Sequence, residues 1–431
     1  MWFEKSVVYH IYPFGFVNCL YKNDGVLKHN LKLIEDRIGH IKELGCDTIY
    51  FSPVFSSDYH GYDTKDYKLI DNRLGTNQDF KQLSKTIHDN NMKIVFDGVF
   101  NHVGRGFWAF IDVLENRENS RYVNWFNIDF TNRNHRDGFY YEGWEGHDEL
   151  VKLNLKNPEV VNHLLECVKF WIDEFGIDGI RLDVAYMVDE DFMRKLNSFT
   201  KSYKEEFFLV GEMLHGDYKR IMNPLMLDSV TNYTMYKSTW SAINDLNLFE
   251  AWFNLEEMFT RKYVGSHTWN FLDNHDVNRI ASVIKNEKHL SLAYGMLFSI
   301  PGIPCIYYGS EWGVKGERSK YEDTQLRPYF DTFIQNDLFN YIKKLIEIHK
   351  SEDALIYGSI KKLHLNNRQL IFERAFNNER ILVAINLDDE PVTVHFNADA
   401  GRAKDLISDK VHDFGGGSVL EANSISYWKV F

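Results

Sequence analysis

Short runs of β-branched and aromatic residues alternate with amphipathic segments along most of the chain. The strand candidates VVYHIYP, TIYFSP, KIVFDGVF, IDGIRLDV, FFLVGE, SVTNY, TWNFLDNHD and IPCIYYG begin at residues 7, 48, 93, 177, 207, 229, 268 and 303. Between the first two, Leu31, Ile34, Ile38 and Ile41 recur with the period of one helix face, and Gly45 ends the pattern. Eight strands alternating with helices predict an α/β fold, a (β/α)8 TIM barrel. A doubly wound sheet is the alternative, but no glycine-rich phosphate loop follows the first strand.

The interval between the third and fourth predicted strands is the longest, and its sequence is polar, rich in rings and poor in periodicity. We predict that residues 103–155 form a small inserted domain over the carboxyl-terminal face of the barrel, which takes residues 1–102 and 156–350. From residue 351 the chain alternates apolar and polar positions between turn residues, as in RQLIFERAF and RILVAINL. This period of two predicts a C-terminal antiparallel β-sandwich over residues 351–431.

Acidic residues outnumber basic ones by 62 to 49, which gives a formal net charge of −13. Nucleic acids and anionic membranes are bound through basic surfaces, so we expect neither as a partner. The N-terminus lacks a signal-peptide pattern, and no apolar run reaches the ~18 residues of a membrane span. The four cysteines lie far apart without a CxxC pair, which argues against a disulfide scaffold or a zinc site. We therefore expect a cytoplasmic protein.

Carboxylates follow three of the predicted strands. Asp183 comes after GIRL, Glu212 after LVG, and Asp276 after FLDNH. The carboxyl ends of barrel strands converge on one cleft, so the three acids are expected to meet there. Any one of them could simply cap a helix or lie in a solvated loop, but three acids that each follow a strand are much harder to interpret as caps.

The surroundings of two of these acids indicate different protonation states. Arg181 lies two residues before Asp183 and leaves the strand on the same face, so its guanidinium favours the ionised carboxylate of a nucleophile. Glu212 shares the cleft with two other acids, which favours the protonated form of a proton donor. One ionised and one protonated carboxyl group are the machinery of retaining glycoside hydrolysis. His102 and His275 are candidate donors to sugar hydroxyls, although a single histidine is more often structural.

Four segments resemble the signature segments of the α-amylase superfamily, in the same order and on the same strands. They are DGVFNH (97–102), GIRLDVA (179–185), VGEM (210–213) and FLDNHD (271–276). HGYDTKDY (60–67) and IPCIYYGSE (303–311) look like the accessory segments after the second and eighth strands. The resemblance spans about residues 6–330, and the predicted C-terminal sandwich is consistent with it.

This resemblance assigns roles to individual residues. It implies that Asp183 is the catalytic nucleophile, Glu212 the general acid/base, and Asp276 the third acid, which stabilises the distorted sugar ring and its oxocarbenium charge. It implies a support role for Asp97. The residues implied to bind the sugar before the cleaved bond are Tyr62, which would stack on the ring, His102, Arg181, His275, Asp323 and Arg327.

The resemblance also makes Asn101 a possible calcium ligand, although an asparagine here could equally cap a turn. Asp129 and Asp148 in the inserted segment are candidate partner ligands. The implied chemistry requires no cofactor, so calcium would have a structural role.

LVKLN (150–154) is similar to a segment typical of the cyclomaltodextrinases, maltogenic amylases and neopullulanases, and GIRLDVA and GEMLH echo the same group. The chain departs from that group at Val151, Leu214, Tyr186 and Met187. The barrel begins almost at residue 1, so we expect the extra N-terminal domain of that group to be absent. These departures make cyclodextrin preference and a domain-exchanged dimer doubtful.

The resemblance implies a retaining hydrolase that cleaves α-1,4-glucosidic bonds of maltooligosaccharides and starch-derived dextrins. In the resembling families a valine at the position of Val184 accompanies acceptance of α-1,6 bonds, which implies an α-1,6 side activity; Val184 could also be a strand residue that packs behind Asp183. A transglycosylase or an α-1,6-glucosidase of the same fold is the alternative. All three acids are present, which disfavours a non-catalytic carbohydrate-binding relative. The sequence does not determine whether the chain is a monomer or a homo-oligomer.

Overall fold

The computed structural model of the chain describes residues 1–319 and 323–431. Its central feature is a sheet of eight short parallel strands. The strands are Val8–Ile11, Thr48–Phe51, Lys93–Gly98, Gly179–Leu182, Phe208–Gly211, Ser229–Val230, Trp269–Phe271 and Ile303–Tyr307. Successive strands pair with each other, except the sixth and seventh, which are the two edges of the sheet, and the first strand also pairs with the eighth. A parallel bridge between Thr231 and Trp269 joins the two edges of the sheet, so the predicted barrel is confirmed.

The barrel strands are buried on both faces, which explains their nearly continuous apolar sequences. One set of alternate residues fills the barrel interior, for example Val8, Val95 and Val210. The other set packs outward beneath the helices, for example Tyr9, Ile94 and Leu209. Because the strands pair in parallel, the residues that follow their carboxyl ends all lie at one end of the barrel.

The helices surround this barrel, and several of them start at a side-chain cap. Their bounds are Pro13–Phe16, Leu31–Glu35, Ile38–Leu44, Asn77–Asp89, Pro158–Phe175, Glu190–Tyr203, Tyr233–Asn244, Leu248–Glu256, Ile280–Val283, Leu290–Ser299, Asp337–Ser351 and Asp353–Tyr357. Thr76 and Asp79 form a reciprocal capping box at the start of the helix Asn77–Asp89, which precedes the third strand. Gly176, with φ of 64°, ends Pro158–Phe175 in the left-handed conformation that glycine adopts without cost.

A small antiparallel structure lies between the third strand and the helix Pro158–Phe175. It contains the strands His102–Gly104, Gly143–Trp144 and His147–Lys152, the helix Trp108–Asn116, and a two-stranded pair of Ile128–Asp129 with Tyr140–Tyr141. His102 pairs with Lys152 in this sheet, and the Leu153 N–H donates to the Asn101 carbonyl at 3.0 Å. The insertion therefore begins just after the carboxyl end of the third barrel strand.

The C-terminal segment forms an antiparallel six-stranded sheet and a two-stranded sheet. The six strands are Ser359–Leu365, Gln369–Phe376, Glu379–Asn386, Arg402–Asp405, Val411–Asp413 and Ser424–Val430, and the pair is Val392–Val394 with Ser418–Leu420. One face of the larger sheet, with Ile371 and Leu382, packs with Leu420 from the pair. Its other face, with Phe372 and Ile381, belongs to the main core. In residues 1–319 and 323–431 no helix combines the length and apolarity that crossing a membrane requires.

Candidate active site

The three acids predicted from the sequence lie at the carboxyl ends of their strands. Asp183 directly follows the fourth strand and Glu212 the fifth, and Asp276 lies in the loop after the seventh strand. Asp183 and Glu212 are each only 6% exposed. Asp183 and Glu212 both pair with Arg181, and Asp276 is linked to this group through His275, the Tyr62 hydroxyl and Asp97, so the fold brings the three acids together.

Arg181 is the centre of this cluster. Its Nη1 lies 3.0 Å from Asp97 Oδ1 and 2.9 Å from Asp183 Oδ1, and its Nη2 lies 2.9 Å from Glu212 Oε1. The side chain projects from the fourth strand on the same face as Asp183, as the two-residue spacing predicted. One buried guanidinium thus orients three carboxylates.

The sequence predicted that Arg181 favours the ionised form of Asp183, whereas the structure disfavours that form. Burial raises its pKa well above the usual range, the nearby Glu212 and Asp97 charges raise it further, and Arg181 opposes them. The sequence argument considered Arg181 alone, whereas the fold divides that one cation among three acids and removes them from water.

Glu212 is held by the backbone as well as by Arg181. Its Oε2 accepts the Val184 N–H at 2.9 Å, and the Tyr233 hydroxyl lies 3.5 Å from its Oε1. Val184 has φ of 41° and ψ of 44°, a left-handed conformation that is costly for a β-branched residue. The interpretation of Val184 as a strand residue is therefore wrong, because the chain turns sharply there and points the N–H at Glu212.

Asp276 lies in a second cluster on the side of Tyr62. His275 Nε2 lies 3.0 Å from Asp276 Oδ2 and 2.5 Å from the Tyr62 hydroxyl, and the two rings stack with centroids 5.5 Å apart. Arg327 Nη2 lies 2.9 Å from Asp276 Oδ1 and 3.5 Å from Asp323 Oδ2. Burial opposes the ionisation of Asp276, but the charges of His275, Arg327 and Arg181 outweigh it and hold its pKa well below the usual range.

His102 lies beside Asp183, with 4.0 Å between Nε2 and Asp183 Oδ2. Burial lowers the pKa of His102 to about 3, so the ring is neutral. The Asn101 amide lies 3.2 Å from Nδ1, as assigned from the hydrogen-bond network, which leaves the ring proton on Nε2. Among the described residues Nε2 has no hydrogen-bond partner, so it is available as a donor to a ligand.

The structure adds residues that the sequence argument did not select. The Tyr50 hydroxyl donates to Asp97 Oδ2 at 2.6 Å, and Asn274 Nδ2 donates to the hydroxyl of Tyr233 at 3.0 Å. Trp144 from the insertion lies with its ring 5.8 Å from that of His102, and its buried Nε1 has no partner within residues 1–319 and 323–431. Tyr50 carries a detectable signal, because it is a polar-tipped residue at an inward position of the second strand. Trp144 carries none, because its position depends on how the insertion folds.

The two acids proposed as calcium ligands beside Asn101 each contact a neighbouring side chain. Asp129 Oδ1 accepts from Thr131, and Asp148 Oδ1 lies 3.2 Å from His135 Nε2. In the described part of the chain no three His, Cys, Asp or Glu side chains are grouped as metal ligands. A cavity of about 310 Å³ beside Asn101 is lined by Lys152 and Lys156 and also by Asn127, Asn154 and Asp189.

Comparison with known proteins places this geometry in context. The family model described as the α-amylase catalytic domain matches residues 10–337. The chain is 33% identical to a cyclomaltodextrinase of Thermoanaerobacter pseudethanolicus, over 98% of this chain and 77% of that protein. It is 32% identical to neopullulanase 2 of Thermoactinomyces vulgaris, over 91% of this chain and 71% of that protein. Among solved structures, the cyclic α-maltosyl-(1→6)-maltose hydrolase of Arthrobacter globiformis is similar over 100% of both chains, with 28% identity and a TM-score of 0.85.

Proposed function

The chain belongs to the α-amylase family and is a glycoside hydrolase, and we propose that it cleaves α-1,4-glucosidic bonds of maltooligosaccharides and starch-derived dextrins with retention of configuration. The observation that carries this proposal is the Arg181 cluster, in which two carboxylates lie side by side on neighbouring strands and share one guanidinium. A retaining mechanism needs a nucleophile and a proton donor close to each other on one bond.

In the proposed reaction, Asp183 attacks the anomeric carbon while Glu212 donates its proton to the leaving glycosidic oxygen. The bond to the leaving sugar breaks and a covalent glycosyl-enzyme forms at Asp183. Glu212, now ionised, takes a proton from water while the water oxygen attacks the anomeric carbon. The bond to Asp183 breaks, and the sugar leaves with its original configuration. The Val184 N–H on Glu212 Oε2 supports this assignment, because it fixes the orientation of the carboxyl group.

The Asp276 cluster is proposed to bind the sugar ring that undergoes attack. Its lowered pKa keeps Asp276 ionised, so it can accept hydrogen bonds from ring hydroxyls and stabilise positive charge on the ring. The stacked rings of Tyr62 and His275 provide a flat surface beside it. His102 Nε2 and Trp144 Nε1 are two further donors without partners in the described residues, which suits a polyhydroxylated ligand.

An α-1,6 side activity is the finer part of the proposal. The hydrolase of a cyclic substrate with a (1→6) bond has a fold similar to that of the whole chain. Val184, 5% exposed and bonded to Glu212 through its backbone, stands beside the group that would protonate the leaving sugar. A small difference in contacts at such a position changes the ratio of α-1,6 to α-1,4 cleavage without changing the type of reaction.

Product analysis on maltotriose, maltoheptaose, β-cyclodextrin, pullulan, panose and isomaltose tests the proposal. We expect rapid cleavage of the linear α-1,4 substrates, slower cleavage of panose at its α-1,6 bond, which is recognised by the release of maltose, and products that appear first as α-anomers. Asp183→Asn is expected to lose at least ~10³-fold in kcat, because it removes the covalent nucleophile. Faster cleavage of the α-1,6 bond of isomaltose or panose than of maltotriose would contradict the linkage preference, and larger sugars in place of smaller ones would indicate a transglycosylase.

A further inference from the structure

Two exposed tyrosines lie side by side in loops that follow the first and second barrel strands. Tyr21 is 67% exposed and Tyr59 is 39% exposed, and their ring centroids are 5.6 Å apart with an interplanar angle of 41°. Two exposed aromatic rings in contact present a continuous apolar surface to solvent, and such surfaces on a protein commonly mark a binding site.

A buried arginine holds the backbone of both tyrosines. Arg73, 2% exposed, donates from Nη1 to the Tyr21 carbonyl at 2.9 Å and to the Tyr59 carbonyl at 2.6 Å. Its Nε and Nη2 each donate to the Asp71 carboxylate at 2.9 Å. The two loops are therefore tied to each other through one buried ion pair, which fixes where the rings emerge.

The loop that carries Tyr59 is also fixed from within. The Asp63 carboxylate accepts the backbone N–H groups of residues 58, 59, 60 and 61 at 2.9, 2.8, 3.1 and 3.2 Å. Gly61 has φ of 92°, and a Cβ there would lie 2.8 Å from the Phe14 ring, so this turn requires glycine. A ring on such a loop is positioned before a ligand arrives, which reduces the entropy that binding would cost.

The same loop continues into the cleft on the Asp276 side. Tyr62 stacks on His275, and the Tyr12 hydroxyl donates to the His60 carbonyl at 2.9 Å. Arg327 Nη1 lies 3.5 Å from that Tyr12 hydroxyl. Burial raises the pKa of Tyr21, the Asp63 charge adds to this effect, and Arg327 opposes it, so the Tyr21 phenol lies within electrostatic reach of the cleft.

From this placement we propose that Tyr21 and Tyr59 form a stacking platform for glucose units of the substrate that lie beyond the ring bound at Tyr62, away from the cleaved bond. This inference rests on the proposed function. Carbohydrate rings present apolar C–H faces that pack on aromatic surfaces. The platform gives long maltooligosaccharides a contact that maltotriose is too short to use fully, so it makes chain length a determinant of kcat/KM.

The test compares Tyr21→Ala, Tyr59→Ala and the double variant with the wild type on maltotriose and maltohexaose. The double variant is expected to lose about tenfold in kcat/KM on maltohexaose, equivalent to about 1.4 kcal/mol, and less than twofold on maltotriose. Reducing-end-labelled maltohexaose is expected to be cut closer to its non-reducing end, because fewer units are held before the cleaved bond. Tyr203→Ala is the matched control, since Tyr203 is 47% exposed at the far end of the helix Glu190–Tyr203.

Two outcomes separate the inference from the proposed function. If the wild type cleaves neither maltooligosaccharide, the proposed function fails. If it cleaves both, and the double variant keeps the wild-type ratio of kcat/KM values and the same cleavage position, the platform is excluded. Binding of maltohexaose to Asp183→Asn with and without Tyr59→Ala, measured by calorimetry without turnover, gives an independent readout, and equal affinities would also overturn the inference.

Discussion

At the scale of single residues, the site is one guanidinium that faces three carboxylates. Arg181 contacts Asp97, Asp183 and Glu212 at 2.9–3.0 Å, so the cluster carries more negative than positive charge when all three acids are ionised. Burial raises the pKa of Asp183, which means that its ionised form is disfavoured in the folded chain. The charge that suits a nucleophile is thus a cost to folding, as is often the case at functional sites.

This balance predicts that Asp183→Asn stabilises the protein while it abolishes activity. A carboxyl group whose pKa is raised by folding binds its proton more tightly in the folded chain, so its contribution to stability falls as the pH rises above about 4, the value in an unfolded chain. At pH 7 the variant is expected to unfold at a temperature a few degrees higher than the wild type, and the difference is expected to shrink towards pH 4. A thermal unfolding series checks this, and a lower unfolding temperature at pH 7 would contradict it.

At the scale of secondary-structure elements, the two ends of the barrel strands carry different groups. The carboxyl ends of the fourth and fifth strands deliver Asp183 and Glu212, whereas Asp178 lies at the amino end of the fourth strand. The Asp178 carboxylate, 2% exposed, pairs with Lys204 at 2.6 Å and Lys93 at 3.1 Å. It also accepts the Ile94 N–H at 3.0 Å, so it connects the third strand, the fourth strand and the end of the following helix.

Asp178→Asn is therefore expected to destabilise the fold by about 3 kcal/mol, since it removes the anion from a buried ion pair. Burial opposes the ionisation of Asp178, but His88 and Lys204 outweigh it and hold its pKa well below the usual range. The stability it contributes is present above about pH 4 and is lost as the pH falls below that value. Denaturant unfolding at pH 7 measures the loss, with kcat on maltotriose expected to remain within twofold. A large loss of kcat in the folded variant would contradict the view that the carboxyl ends of the strands serve catalysis and Asp178 at the amino end serves stability.

At the scale of the whole molecule, the sequence was sufficient for the barrel and for the place of the acids. Strands buried on both faces leave continuous apolar runs, and parallel strands in a barrel send the following residues to one end, so Asp183, Glu212 and Asp276 could be expected to meet. The four signature segments identified the family, which the match over residues 10–337 confirms.

Other features depended on contacts between distant segments and had no local pattern. The left-handed turn at Val184 places its N–H against Glu212, which follows the next strand. The pKa of Asp183 depends on burial and on charges from the third and fifth strands, which a neighbouring arginine does not reveal. Tyr21 and Tyr59 appear in the sequence as ordinary loop residues, and the buried Arg73, distant from Tyr21 in the sequence, holds the backbone of both.

The central claim is that Asp183 becomes covalently bonded to the sugar while Glu212 handles the proton, and trapping the intermediate tests it most directly. Glu212→Gln is incubated with α-maltosyl fluoride, whose leaving group needs no proton, so the first step proceeds and the second is slowed. Intact mass spectrometry is expected to show one added maltosyl group, and peptide mapping to locate it on Asp183. Attachment to any other residue, or release of β-maltose without a covalent adduct, would contradict the account.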